Sequence, residues 1–392
     1  MKKHIIFLLT IFLFGFSTLA QQNTSYREGN LVSPVVNADR TVTFSVVAPK
    51  ASQVEVWGDW EENGGHYVLS KGADGVWSCT TNPLKSEMYM YRMVIDGVAN
   101  IDPLNPFVRR DVGNMFSILH VGGGVGDYFM VREVPHGMVS TVWYPSHETG
   151  TERRMTVYLP PLYNKQSCRR YPVLYLLHGS GGDECAWNDL GCVARMMDNL
   201  IAEGKAEPMI IVMPNGTISK PATSGETADN MNFRPVMTNM LPDYKNGRYE
   251  LSFDEIVNYT DKHFRTRRCK YQRAIAGLSM GGMHTLYIGL NHPNLFQYYG
   301  LFSAGLNIDM DKATKAAYAD VDNKFLNLKK KGYKLFWIAC GTDDFLYENN
   351  QAFLARMDRL EFPYVYHEST RGHLWINWRE YMLEFVPKLF KK

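Results

Sequence analysis

A serine stands at the centre of Gly277-Leu-Ser279-Met-Gly281, after an apolar strand-like stretch and before a helix-like one. Gly-x-Ser-x-Gly in that setting is the nucleophile elbow of acyl chemistry, in which a sharp strand-to-helix turn lifts the hydroxyl above the sheet. A hydroxyl is a weak nucleophile at neutral pH, so a base and an orienting carboxylate must come from elsewhere in the chain. Along the chain the acid is expected after the serine and the histidine last. Lys334–Cys340 reads as a buried parallel strand that runs into Gly341-Thr-Asp343-Asp344. Tyr364–Glu368 reads as another, followed by Arg371-Gly372-His373-Leu-Trp375. Asp343 and Asp344 are adjacent and diverge at a strand exit, so one of them reaches the imidazole, with Asp344 preferred. The intervals leave room for the crossovers that separate parallel strands, so Ser279, the acid and His373 can converge on one sheet edge.

Ester cleavage places negative charge on the former carbonyl oxygen, and backbone N–H donors must already point there. The loop His178-Gly-Ser-Gly-Gly182 follows the apolar run Tyr171–Leu177, which has the composition of a central strand. Its glycines allow close backbone approach. The donors are assigned to the N–H of Ser180 and of Met280, the residue after the nucleophile. The other histidines read as structural: His178 beside the glycine loop, His284 one turn into the helix, His367 within a strand. His263 reads as lying near the end of a helix, where a cation suits the dipole. A phosphate-cradling loop is excluded because no Gly-x-x-x-x-Gly-Lys-Ser/Thr occurs.

Taken in order, these stretches resemble the esterase D group, which includes carbohydrate esterase family 1 feruloyl esterases. The resemblance runs from about Asp127 to the C-terminus. It rests on Arg154-Met-Thr-Val-Tyr-Leu-Pro-Pro, Leu176-Leu-His-Gly-Ser-Gly-Gly with Trp187, Ile211-Val-Met-Pro-Asn-Gly, Ala276-Gly-Leu-Ser-Met-Gly-Gly, Cys340-Gly-Thr-Asp-Asp and Gly372-His-Leu-Trp-Ile-Asn-Trp-Arg379. It implies an α/β fold, an α/β-hydrolase with a mostly parallel sheet over residues 127–392, and a serine esterase needing no cofactor. It also implies Asp344 as the acid. Arg371 departs from the pattern, standing where a second glycine is common, and alters the charge beside the pocket.

Residues 23–121 differ in kind. Short strand-like runs alternate with turn signals at Thr41–Val47, Gln53–Gly58, Gly75–Ser78, Tyr89–Gly97 and Phe116–Leu119, the spacing of a small all-β sandwich. Trp57-Gly-Asp-Trp60, Gly75-Val-Trp77, Asp96-Gly97 and Asp102-Pro103 resemble the immunoglobulin-like modules of carbohydrate-binding module family 48. Trp57 and Trp60 are placed in the core rather than stacked on sugar rings. Residues 122–126, glycine-rich, read as a flexible linker.

Lys2 and Lys3 precede an apolar run from Ile5 to Phe16, with Thr18 and Ala20 before Gln21. Residues 1–20 thus read as a cleaved signal peptide, and the mature protein as periplasmic or secreted. No later run is apolar and long enough for a membrane helix, so no membrane association is expected after cleavage. The formal charge of +2 implies no polyanionic partner, nucleic acid included. The six cysteines show neither Cys-x-x-Cys nor a His-Glu-x-x-His companion, so no metal site is expected. Cys185 and Cys192 are candidates for a local bridge, and Cys340 for a buried free thiol.

Between Asn215 and Glu250 periodicity is lost, and Pro221, Pro235 and Pro242 stand among Met231, Phe233, Arg234, Met237, Met240 and Tyr244. A loop of that length is usually functional. With Trp187 and Trp375 it would line an aromatic cleft for a phenolic acyl group. The expected substrate, from the resemblance, is a feruloylated polysaccharide or oligosaccharide. A siderophore esterase, an acetyl xylan esterase and a glycan-binding protein without activity are the alternatives.

Overall fold

Alternation of apolar and polar residues builds the N-terminal module. In β2 (Val42–Val47) the side chains of Val42, Phe44 and Val46 are buried, as period-2 patterning over a half-buried sheet requires. The computed structural model describes residues 31–61, 65–227, 246–306 and 316–391. The signal-peptide stretch lies outside the described residues, as do Met231, Phe233, Arg234, Pro235, Met237, Met240, Pro242 and Tyr244 of the long loop.

Strands β1 (Val35–Val36), β2, β6 (Val76–Thr80) and β5 (Ser70–Lys71) form one antiparallel sheet in the order β1-β2-β6-β5. The second sheet orders β4 (Gly65–Val68), β3 (Val54–Gly58), β7 (Glu87–Ile95), β10 (Asn114–Val121) and β9 (Val108–Asp111), with β8 (Val98–Asn100) beside β7. Phe44, Trp60, Trp77, Tyr89, Tyr91 and Leu119 fill the space between them. Trp60 is 5% exposed and belongs to this core, whereas Trp57 is 52% exposed on β3. Core placement therefore applies to one tryptophan of that pair and not to the other. The strands β4, β5, β8 and β9 are two to four residues each, too short to show a period in sequence.

The segment read as a flexible linker is instead a pinned joint. Gly123 and Gly124 donate their N–H groups to the Asp127 carboxylate at 3.0 and 3.2 Å, and Gly126 donates to Ser86 Oγ at 3.0 Å. Residues Val125–Phe129 form a 3-10 turn. Glycine content alone signals slack, but here three of the glycine N–H groups find fixed acceptors.

The second sheet system has eight strands in the order β11-β12-β14-β13-β15-β16-β17-β18. The hairpin β11 (Met138–Ser146) and β12 (Thr151–Leu159) joins β14 (Ile210–Pro214) antiparallel. From there β13 (Val173–Leu177), β15 (Arg273–Leu278), β16 (Tyr298–Phe302), β17 (Leu335–Gly341) and β18 (Val365–Ser369) run parallel. Strand β13 is buried at every position, as expected where helices cover both faces. Val173, Tyr175 and Leu177 pack on one side, towards α5 (Met280–Asn291), α6 (Val321–Lys331) and α7 (Tyr347–Arg359). Leu174 and Leu176 pack on the other, towards α2 (Val193–Ala202) and α8 (Trp375–Phe385). The remaining α-helices among the described residues are α1 (Ala186–Asp189), α3 (Arg248–Leu251) and α4 (Asp254–His263).

The two modules share their packing. Met88, Met90 and Ile118 of the sandwich join the core under α8, and Ile376 of α8 joins the sandwich core. No helix among the described residues is long and apolar enough to cross a membrane.

Candidate active site

Ser279 caps α5 directly after β15, with φ 53° and ψ −116°. A non-glycine residue in that region is strained, and such strain concentrates at functional sites. The turn demands the glycines around it: a Cβ on Gly281 would lie 2.4 Å from the Leu177 carbonyl oxygen, and one on Gly277 would lie 2.4 Å from the Gly281 oxygen. The Ser279 N–H donates to the Phe302 carbonyl at 2.9 Å, while its own carbonyl accepts from Met283 at 3.1 Å and Gly305 at 2.9 Å. The elbow is thus tied to the strand beside it.

Parallel register carries the acid and the histidine to the same edge. Leu278 pairs with Phe302, Phe302 with Ala339, and Gly341 with Ser369. Ser279, Asp344 and His373 therefore all leave the C-terminal ends of neighbouring strands, where open α/β sheets hold their sites. The Asp344 side chain is fully buried and its two oxygens lie 3.0 and 2.9 Å from His373 Nδ1. Asp344 also accepts the Leu346 N–H at 2.9 Å. Asp343 is exposed, and only its backbone N–H faces the histidine loop, donating to the Arg371 carbonyl at 3.2 Å. With Nδ1 donating to a carboxylate, Nε2 is the acceptor of the imidazole. Among the described residues the hydrogen bonds of His373 run to Asp344, and Nε2 makes none. A serine-to-imidazole bond is not formed at rest; such bonds commonly tighten only with substrate.

The histidine loop is clamped from below. Buried Asn377 donates to the carbonyls of Thr370 and Gly372, both at 3.0 Å. Arg371 adopts φ 70°, the reason glycine suits that position, and its guanidinium reaches the Asp59 carbonyl of the N-terminal module at 3.5 Å. The ring of Phe345 lies 4.6 Å from that of His373, and Trp378 meets it edge-on at 4.8 Å. Phe345 is 71% exposed. Sequence reasoning passed it over, although an apolar residue directly after the acid, at a strand exit, is the signal that would have found it.

Met280 directly follows the nucleophile, and Ser180 stands in the loop after β13, whose Gly179 would bring an added Cβ to 3.2 Å from Ser279 Cβ. Met280 is the first residue of α5, whose opening N–H groups have no partner within the helix. Ser180 follows Gly179, whose carbonyl lies 2.8 Å from His178 Nδ1 and accepts the Gly182 N–H at 3.1 Å. His178 Nε2 accepts the Gly216 N–H at 2.8 Å, so Nδ1 carries the proton and donates to Gly179. Burial holds the His178 ring below its ordinary range, which keeps that tautomer neutral. Anchoring the Gly179 carbonyl turns the Ser180 N–H of the same peptide plane the opposite way. His178 is thus structural in a specific sense, as the residue that sets the loop.

The other histidines are placed as follows. His284 bonds Glu250 at 2.8 Å in the core, His263 ends α4 and stacks on Tyr259 at 4.0 Å, and His367 in β18 stacks on Trp337 at 5.6 Å. Trp187 and Trp375, expected to line the cleft, are 1% and 4% exposed and pack edge-to-face at 5.4 Å. The Trp187 indole donates to the Leu177 carbonyl at 2.9 Å. They form the floor under the loops rather than an open aromatic wall. The bridge between Cys185 and Cys192 is not made, and both thiols are free. Cys192 lies 3.3 Å from the Met88 sulfur instead. Cys340 is buried, and burial pushes its thiol up to about 12.

The chain matches the Esterase family model, described as "Putative esterase", over residues 146–389. It belongs to that esterase family. Residues 32–107 match the model of carbohydrate-binding module 48, the isoamylase N-terminal domain. The esterase is 31% identical over 373 residues to the Endo-1,4-beta-xylanase/feruloyl esterase of Xylanibacter ruminicola, covering 91% of this chain and 46% of that one. It therefore spans about half the length of that curated relative. Among solved structures it is similar to a CE1 ferulic acid esterase from the anaerobic fungus Anaeromyces mucronatus, at 25% identity and a TM-score of 0.54, over 67% of this chain and 95% of that one. The enterobactin esterase of Shigella flexneri overlays with a TM-score of 0.61 over 89% of this chain and 93% of its own, at 16% identity. That likeness concerns the fold alone and extends over both modules.

Proposed function

We propose that this chain is a secreted serine esterase that releases feruloyl groups from plant cell-wall xylan. Ser279 Oγ attacks the acyl carbonyl carbon and its proton passes to His373 Nε2, while Asp344 orients the ring and balances its charge. The oxyanion of the tetrahedral intermediate accepts the N–H groups of Ser180 and Met280. Collapse expels the sugar alkoxide, which takes the proton from His373 and leaves a feruloyl-serine ester. Water, deprotonated by the same imidazole, then frees ferulate and restores the serine.

The observation that carries this reading is the identity with a xylanase/feruloyl esterase across 91% of the chain, joined to the buried Asp344–His373 pair. Export is inferred from residues 1–20. The test is one preparation assayed against methyl ferulate, acetylated xylan and a ferric catecholate siderophore. Fastest turnover of methyl ferulate supports the reading. Preference for the siderophore or the acetyl ester overturns the acyl assignment, and labelling by a covalent serine probe at a residue other than Ser279 overturns the mechanism.

A further inference from the structure

A cavity of about 630 Å³ opens beside β9 and β10, and it is separate from the relay: none of Ser279, Asp344 and His373, nor any residue of the loop 178–182 or of the hairpin tip Asp111–Val112, lines it. Its volume is that of a small-molecule pocket. The walls are mostly apolar, supplied by Val36, Leu104, Phe107, Ile118, Met130 and Val131. Phe107 and Val131 are 66% and 69% exposed, so the mouth is apolar too, and exposed apolar side chains gathered around one opening mark a binding site.

Into this apolar trough the fold brings two guanidiniums, Arg109 of β9 and Arg195 of α2, and one carboxylate, Asp189. Arg195 donates to the Phe129 carbonyl at 3.1 Å. Arg109 donates to the Val108 carbonyl at 2.9 Å, and its Nε stands 4.0 Å from Asp189. A guanidinium carries five donors in a planar fork, so among the described residues both keep unused N–H groups. His120 also lines the cavity, and its Nδ1 is buried without a partner. Burial, with the charges of Arg195, Arg379 and Arg109, holds that ring down at about 4, so it is neutral at pH 7 and adds no charge. Two cations against one anion leave the lining with a single positive charge. That balance suits a monoanion, and the fork suits a carboxylate. A sugar would leave the apolar walls unmatched, and an uncharged ring would leave the guanidiniums unpaired.

We infer that this cavity binds an aromatic monocarboxylate, with Arg195 as the anchor of its carboxylate. Arg109 already faces Asp189, which leaves Arg195 as the cation without an opposing charge in the lining. Ferulate, the acid that the proposed reaction releases, belongs to this class. The cavity is then a second site for the product, outside the reaction cleft. The identity of the acid rests on the proposed activity; the site itself does not.

Calorimetric titration of the full chain, with its nucleophile blocked by a covalent serine probe, reads the cavity apart from the reaction cleft. Ferulate and 3-phenylpropanoate should each bind at one site per chain. Methyl ferulate and 3-phenylpropanol, which lack the carboxylate, should bind about tenfold more weakly or worse, the cost of losing a charge-assisted hydrogen bond. Arg195→Met should weaken both acids about tenfold or more, and Arg195→Lys, which keeps the charge without the fork, by less. Leu104→Trp, which fills the trough and leaves its charges in place, should weaken them as well. Initial rates of the unblocked variants on methyl ferulate should stay within about twofold of wild type. No binding to the blocked protein, equal affinity for acid and ester, or affinity unchanged in Arg195→Met and Leu104→Trp overturns the site. Should the wild type fail to cleave methyl ferulate yet bind 3-phenylpropanoate in this way, the acyl assignment falls and the cavity stands.

Discussion

Arg379 and Glu87 stand 292 positions apart in the chain and meet in the seam between the modules, guanidinium Nε to carboxylate at 3.0 Å. The Arg379 side chain is fully buried and that of Glu87 nearly so. The same guanidinium donates to the carbonyls of Leu190 at 2.9 Å and Met88 at 2.6 Å, so one residue of the last long helix holds three segments. Burial raises the Glu87 carboxyl, and the Arg379 charge opposes that rise.

Removing one partner of such a pair leaves the other charge buried and alone, at about 3–5 kcal/mol. Arg379→Leu is therefore expected to destabilise by that amount, read from urea denaturation at pH 7. Arg379→Leu/Glu87→Leu together should recover most of it. A double variant as unstable as the single one would show that the carbonyl contacts, not the ion pair, carry the cost.

The proposed relay predicts graded losses. Ser279→Ala and His373→Ala should each lower kcat about a thousandfold or more, and Asp344→Asn by a comparable factor because the imidazole loses its orienting acceptor. Asp343→Asn should change kcat less than about threefold, since its side chain is exposed and bonds no part of the relay. Circular dichroism and melting curves close to wild type would assign the losses to chemistry. Equal loss in the two aspartate variants would contradict the assignment.

Phe345 predicts acyl selectivity. Its exposed ring beside His373 offers an aromatic group a stacking partner worth about 1 kcal/mol. Phe345→Ala should raise KM for methyl ferulate several-fold while leaving p-nitrophenyl acetate nearly unchanged. Parallel effects on both esters would place the ring in support of His373 rather than against the substrate.

Asp59 predicts the pH dependence of stability. Its carboxyl is pushed up to about 7 from 3.8 by burial, opposed by the Arg379 charge. The folded protein thus keeps a proton that the unfolded chain has released across that interval. This contribution is fully present below the unfolded value and is lost as pH rises through about 7. Asp59→Asn retains the side-chain oxygen that accepts the Met90 N–H, a bond of 2.8 Å in the wild type. The melting temperature of the variant relative to wild type should therefore rise between pH 5 and pH 8. A difference that stays flat across that range would refute the protonated aspartate.

The eight-stranded system was legible because buried parallel strands such as Val173–Leu177 are continuous apolar runs, and the elbow because its glycines are needed within five consecutive residues. The sandwich was legible in its longer strands, from Val42–Val47 to Asn114–Val121. What escaped was whatever depends on a distant partner. The glycine segment 122–126 looked slack because the acceptors Asp127 and Ser86 are invisible to composition. Trp187 and Trp375 looked like cleft walls because a tryptophan beside a motif carries no mark of which way it faces. Cys185 and Cys192 are near in sequence, but Cys192 is turned towards Met88 in another module.

By itself, then, the sequence determined the local chemistry: a serine on a strained turn, a glycine loop upstream, and an acid and a histidine each at the exit of a strand. Those features are short-range, set by sterics within a few residues. Only the tertiary structure decided that both oxygens of Asp344, the acid already preferred from the sequence, meet His373 Nδ1, that Phe345 faces outward beside it, and that Val112 of the first module lies against Gly181. Contacts between residues tens to hundreds of positions apart follow from how sheets stack and register, and no local pattern encodes them.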